Sequence, residues 1–160
     1  MNKAFLFLLC FLANSAFGAV MKGNPPPSFT LPTLESGQMV SSSQFHGKVV
    51  LIDLWASWCI PCRTSFPIYE KIYKKYHDQG FELIAINVDR NKEAANRFLT
   101  SFPVSFKVLY DQKGVVVDEF DPFTMPTSYL VDRHNVVVKI IQGFRKSEEE
   151  ELVKVIESLL

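Results

Sequence analysis

The run Val49-Val50-Leu51-Ile52-Asp53-Leu54-Trp55-Ala56-Ser57-Trp58-Cys59-Ile60-Pro61-Cys62 opens with seven residues, six of them apolar and three β-branched. Such a run predicts a strand buried on both faces. Beyond Ile60, the residues Phe66, Ile68, Tyr69, Ile72, Tyr73 and Tyr76 recur at helical spacing to about Gln79, and Gly80 closes the helix. The Cys-x-x-Cys pair sits at the junction. Cys59 falls at the helix N-terminus, where unpaired N–H groups and the macrodipole stabilise a thiolate. Cys62 lies one turn later on the same side, so the two sulfurs can meet. A disulfide over so short a loop restrains the unfolded chain little, which suits exchange better than stapling. Pro61 is tolerated because the first helical turn needs no N–H there. A structural disulfide and half of a zinc site are the rival readings. A zinc site needs more Cys or His ligands, but there is no second Cys pair and His46, His77 and His134 are scattered. Haem attachment needs His after the second cysteine, where Arg63 stands.

Outward from this junction, Phe81 to Val88 reads as a second buried strand, and Asn91 caps a helix running to about Ser101. Phe106 to Tyr110 is strand-like and is followed by a turn at Asp111–Gly114. Thr127 to Val131 and Val136 to Ile141 flank a polar turn and form a hairpin. Ser147 is expected to start the last helix, with Glu150 completing a capping box and the Glu148–Glu151 run favouring the dipole. Upstream, Phe29 to Leu34 and Met39 to Ser41 are short extended pieces around Ser36-Gly37. The order β-α-β-α-β-(α)-β-β-α predicts an α/β fold: a mixed sheet with a parallel centre and helices on both faces.

The 160 residues carry 17 Lys+Arg against 17 Asp+Glu, with 48% hydrophobic and 21% charged residues, which describes one globular domain rather than a disordered chain. The zero formal charge argues against a nucleic-acid partner. Three cysteines are too few for a disulfide scaffold, and the odd one, Cys10, lies near the N-terminus. There, Lys3 precedes an apolar run from Ala4 to Ala13, and Ala16 and Gly18 fit a cleavage site. Residues 1–18 therefore read as a signal peptide cleaved near Gly18, residues 19–28 as an extended Pro-rich leader, and residues 29–160 as the domain. An uncleaved anchor facing the periplasm is the alternative, and the bulky Leu9 before Cys10 argues against lipid attachment. Export places Cys59 and Cys62 in an oxidising compartment. No nucleotide, flavin, haem or metal motif is evident, so no cofactor is expected.

Trp55-Ala56-Ser57-Trp58-Cys59-Ile60-Pro61-Cys62 resembles the active-site stretch of the thioredoxin superfamily, and in particular its exported TlpA/ResA-like branch. Phe81–Val88 and Met125-Pro126-Thr127 extend the resemblance, which covers roughly residues 27–160. It implies a thioredoxin-like fold with an N-terminal strand extension, supplied by residues 29–45, and an inserted helix, supplied by residues 91–101. It implies a thiol–disulfide oxidoreductase in which Cys59 attacks a partner disulfide and Cys62 resolves the mixed disulfide. Asp53 matches the family's buried carboxylate and is expected to relay a proton for Cys62. Pro126 matches the cis-proline, leaving Met125 to pair with an extended substrate. Trp58, Ile60, Pro61, Met125, Pro126 and Thr127 are the expected substrate-binding residues, and Phe123 and Phe144 are read as core, with the apolar rim of the site as the alternative. Ser65 stands where many TlpA/ResA-like reductases carry a thiol-tuning Glu.

Protein thiols and disulfides are the implied substrates, with a further redox partner such as a membrane thiol reductant. The periplasm of a bacterium is the implied compartment, and a monomer is expected. Reductase action, for example in cytochrome c maturation, is the preferred direction. The alternatives are a disulfide-forming oxidase, a thiol peroxidase, and a non-enzymatic binding module.

Overall fold

A computed structural model describes residues 19–160. The expected signal peptide, residues 1–18, lies outside the described residues, and Cys10 with it. Within the leader, Gly23 N–H donates to the Val137 carbonyl (2.8 Å) and Val137 N–H to the Asn24 carbonyl (2.9 Å), so this segment runs along the domain.

An antiparallel hairpin comes first, β1 (Thr30–Pro32) and β2 (Met39–Ser41). The domain then runs β3 (Val49–Trp55), α1 (Cys62–Tyr76), β4 (Phe81–Asn87), α2 (Lys92–Ser101), β5 (Lys107–Tyr110), α3 (Val115–Phe120), β6 (Thr127–Val131), β7 (Val137–Gln142) and α4 (Glu149–Leu159). The main sheet has the order β5-β4-β3-β6-β7. Its β5, β4 and β3 are parallel, while β6 and β7 run antiparallel, which is the mixed sheet expected from the element order.

All seven residues of β3 and all seven of β4 are buried, because both faces of the sheet are covered. On one face, Leu51 and Trp55 pack with Phe66, Tyr69 and Ile72 of α1, Phe98 of α2, and Leu152 and Ile156 of α4. On the other, Val50, Ile52 and Leu54 meet Phe29, Leu31, Val40 and Phe45 from the N-terminal segment and Val116 and Phe120 of α3. The period of two along β3 assigns these faces, and it puts Asp53 on the α1 side with Leu51 and Trp55.

Local chemistry sets the element ends. Asn91 caps α2 by accepting from Glu93 N–H at 2.9 Å, as predicted. Gly80 adopts φ +98°, a left-handed conformation that stops the chain after α1 and turns it into β4. Three successive valines begin α3 rather than a strand, because the Asp111 carboxylate accepts from Val117 N–H (2.8 Å) in the helix's first turn. The last helix departs from expectation. Ser147 does not cap it; a 3-10 turn, Lys146–Glu148, precedes α4, and the reciprocal contact is Arg145 N–H to the Glu148 carboxylate at 2.9 Å. Glu150 instead pairs with Lys154 one turn on, at 2.6 Å.

An aromatic cluster ties the inserted helix to the central strand. The Trp55 ring lies 4.7 Å from Phe66 and 4.8 Å from Phe98, and Phe66 lies 5.0 Å from Phe98 and 5.7 Å from Phe106. Phe144 belongs to this core face, but Phe123 is 89% exposed, contrary to the expectation for it. Phe66→Ala should therefore destabilise the oxidised protein by roughly 3–5 kcal/mol, whereas Phe123→Ala should change stability by less than about 0.5 kcal/mol. Urea unfolding midpoints of the two variants test the contrast.

Candidate active site

Strand β3 ends at Trp55 and α1 begins at Cys62, so residues 56–61 form a turn at the C-terminal end of the parallel strands. Cys59 and Cys62 are joined in a disulfide there. Cys62 is the first residue of α1, and its N–H donates to Cys59 Sγ at 3.3 Å. Cys59 thus receives a helix-terminal N–H, the contact that favours a thiolate once the bond is reduced. Pro61 sits at the N-cap with φ −63°, where no N–H is missed.

The disulfide is shielded while its neighbours are not. Cys59 is 3% exposed and Cys62 is buried, yet Trp58 is 64% and Ile60 76% exposed. The reactive bond is thus flanked by two large apolar side chains left in water. Trp55, by contrast, lies in the core.

The second wall comes from β6. Thr127 pairs with Leu54, so the start of β6 lies at the same end of the sheet as the Trp58–Cys62 turn. The Met125–Pro126 peptide is cis, as the resemblance implied. Pro126 is buried and its carbonyl accepts from Gly143 N–H at 2.7 Å. Met125 is partly buried and touches the cores of both sheet faces. The Thr127 hydroxyl is committed to the Thr124 carbonyl at 2.6 Å. Its structural contribution is therefore to the loop just before the cis peptide.

Asp53 is fully buried in the central strand and does not reach solvent. Its Oδ1 accepts from the Ser128 hydroxyl at 2.6 Å, and its Oδ2 has no partner among the described residues. Burial pushes its pKa up to about 7, with the Ser128 hydrogen bond pulling the other way. A carboxyl with that affinity exchanges its proton near neutrality.

Several supporting residues were not singled out from the sequence. The Asp89 carboxylate accepts from Ser57 N–H (2.9 Å), the Ser57 hydroxyl (3.0 Å) and Asn87 Nδ2 (2.9 Å), which ties the turn before Cys59 to the end of β4. The available signal was the polar pair Asn87 and Asp89 following the apolar run Leu83–Ile86. Ser65, in the position of the thiol-tuning Glu, is buried and donates to the Cys62 carbonyl at 3.3 Å. Among the described residues, no group of three or more His, Cys, Asp or Glu side chains is placed to hold a metal ion.

A family model described as Redoxin matches residues 21–156. The chain belongs to the Redoxin family. It is similar to the thiol-disulfide oxidoreductase ResA of Bacillus subtilis (strain 168), with 33% identity over 145 residues, covering 86% of this chain and 80% of that protein. The thioredoxin-like protein YneN of the same organism is 33% identical over 135 residues, covering 82% of this chain and 78% of YneN. A solved structure from Chlorobium tepidum, assigned as a thiol:disulfide interchange protein DsbE, superposes with a TM-score of 0.84 at 38% identity, covering 88% of this chain and 99% of that one. The fold is therefore thioredoxin-like. A Redoxin-family chain with a Cys59–Cys62 disulfide at the start of α1 is a thioredoxin-like thiol–disulfide oxidoreductase.

Asp53 yields a test with a definite sign. Its pKa is about 7 when folded against an ordinary 3.8. Between about pH 4 and 7 the folded protein keeps a proton that the unfolded chain has released, so this group's contribution to stability falls as pH rises. Oxidised Asp53→Asn should be more stable than the parent at pH 8, by as much as about 4 kcal/mol. The gap should narrow as pH falls through 7 and vanish near pH 4. Paired urea titrations across that range measure it.

Proposed function

We propose that this chain is an exported reductant of protein disulfides, with Cys59 as attacking and Cys62 as resolving cysteine. The observation that carries the reading is the buried Cys59–Cys62 bond framed by exposed Trp58 and Ile60. A partner cysteine would be brought to Cys59 by apolar contact with this rim and with Met125, rather than by a strong global field, since the formal charge is zero. Met125, Pro126 and Thr127 would shape the side of the site along which an extended substrate lies.

In the forward direction the Cys59 thiolate attacks a partner disulfide, and one partner sulfur leaves. Cys62 then attacks Cys59, forming the intramolecular bond and releasing the reduced partner. Cys62 must lose a proton in this step, and Asp53 lies beneath the helix that carries it. A base with a pKa of about 7, buried on the α1 face of β3, would accept that proton in this direction and return it to Cys62 in the reverse one, so the direction is set by the reduction potential. The substrates proposed are protein disulfides outside the cytoplasm, cytochrome c precursors among them, with a membrane thiol reductant restoring the dithiol. The Lys3-led apolar segment and Gly18 site support export to a bacterial periplasm. No helix among the described residues is long and apolar enough to cross a membrane.

Equilibration of the Cys59–Cys62 couple with a thioredoxin couple tests the direction. A potential near roughly −270 mV is expected, whereas one near roughly −120 mV would make the protein an oxidant. Absence of insulin-disulfide reduction would point to a binding module instead. Cys62→Ala should accumulate mixed disulfides through Cys59, detectable on non-reducing gels. Recovery of the same adducts from Cys59→Ala would reverse the roles assigned to the two cysteines.

A further inference from the structure

Asp53 of β3 and Ser128 of β6 stand opposite each other in the antiparallel register. The Ser128 hydroxyl donates to Asp53 Oδ1 at 2.6 Å. A hydroxyl has a single hydrogen, so in the 2.8 Å contact between Ser128 Oγ and Tyr69 Oη the tyrosine must be the donor. The result is a directed chain, Tyr69 O–H to Ser128 O–H to the Asp53 carboxylate, and all three side chains are fully buried. Tyr69 is held in turn by the Phe144 ring, 5.2 Å away. It lies on the same buried stripe of α1 as Cys62 and Phe66, so the chain spans from the helix that carries the resolving cysteine to the central strand.

We propose that Ser128 and Tyr69 are positioning residues for thiol exchange: together they orient the Asp53 carboxylate and set the pH at which it accepts the proton of Cys62. This inference rests on the exchange reaction assigned above and deepens it. In the mixed disulfide, Asp53 takes the proton from Cys62 Sγ. The Cys62 thiolate attacks Cys59 Sγ, so the Cys59–Cys62 bond forms and the bond from Cys59 to the partner sulfur breaks. The partner sulfur leaves with the electron pair and takes a proton from water, and Asp53 returns its proton to water. Two electrons pass from the dithiol to the partner.

The physical reason for the role is that Ser128 is the sole hydrogen-bond donor to Asp53 among the described residues. Without it the ionised form would be buried with no partner, and the carboxyl would hold its proton to higher pH. Tyr69 strengthens that donor by hydrogen-bonding to its oxygen. The ionisable groups facing Asp53 are few. From α1 it is Tyr69, which Asp53 acts on by charge, and Cys62 lies on the same buried stripe of that helix. Ala85, its register partner on β4, carries no charge. Glu148, just ahead of α4, acts on Tyr69.

The test is the pH dependence of the resolution step. The reduced full chain is mixed rapidly with glutathione disulfide between pH 5 and 9, and closure of the Cys59–Cys62 bond is followed. Ser128→Ala should move the midpoint of the profile upward by about one pH unit and slow resolution about tenfold below it. Tyr69→Phe should move it the same way by less, and Ser128→Thr should restore it. The Asp53 carboxyl carbon, titrated by NMR in the same variants, should shift in step. A uniform loss of rate with an unmoved midpoint, or an Asp53 titration unchanged in Ser128→Ala, overturns the proposal. Should Ser128→Ala fail to fold, Tyr69→Phe carries the same comparison, and an unmoved midpoint there is equally decisive against it. A parent protein with no exchange at any pH would overturn the function instead, while the NMR titration would still report whether Ser128 governs Asp53.

Discussion

Burial of β3 on both faces is the constraint from which the rest follows. Seven consecutive side chains must be satisfied without water; five are wholly apolar and are satisfied by packing, and Trp55 packs its ring while its indole N–H finds no partner among the described residues. Leu51 and Trp55 find α1 and α2, while Val50, Ile52 and Leu54 find the N-terminal hairpin and α3. The seventh, Asp53, cannot be satisfied by packing. The energetic cost of its carboxylate is reduced by one hydroxyl from β6 and by keeping a proton to about pH 7. A position that is unfavourable for the fold thereby acquires a proton affinity near neutrality.

The same strand delivers the reactive turn. Because β3 is fixed from both sides, Trp55 is held by Phe66 and Phe98, and the chain beyond it has a rigid origin. Asp89 then ties Ser57 to the end of β4 with two hydrogen bonds, and α1 offers the Cys62 N–H to the Cys59 sulfur. Rigidity behind the cysteines contrasts with the exposed Trp58 and Ile60 in front of them. That division suits an exchanger, whose own geometry must be kept while partners vary.

Much of the fold was legible from pattern. The predominantly apolar buried strands, the helical stripe through Phe66, Tyr69 and Tyr76, the Asn91 cap and the Gly80 stop each depend on forces within a few residues, so local sequence was sufficient. The failures share a cause. The Ser-x-x-Glu pattern at Ser147 is locally sound as a helix start, yet Arg145 and Glu148 form the reciprocal contact across a 3-10 turn that precedes α4. Phenylalanine is usually a core residue, but Phe123 lies in the loop ahead of Pro126 and projects into solvent.

The sequence by itself determined the chemistry: two cysteines at one-turn spacing between a buried strand and an amphipathic helix, with a carboxylate inside the strand. Tertiary structure alone decided what surrounds them. Ser128 lies 75 residues from Asp53 and Tyr69 lies 59 from Ser128, so no local pattern could link them. Asp89 and Ser57 are separated by 32 residues and meet only because β3 and β4 lie side by side. Reactive residue types are properties of the chain, but the proton affinity of Asp53 is a property of its buried surroundings, which exist only once the sheet is assembled.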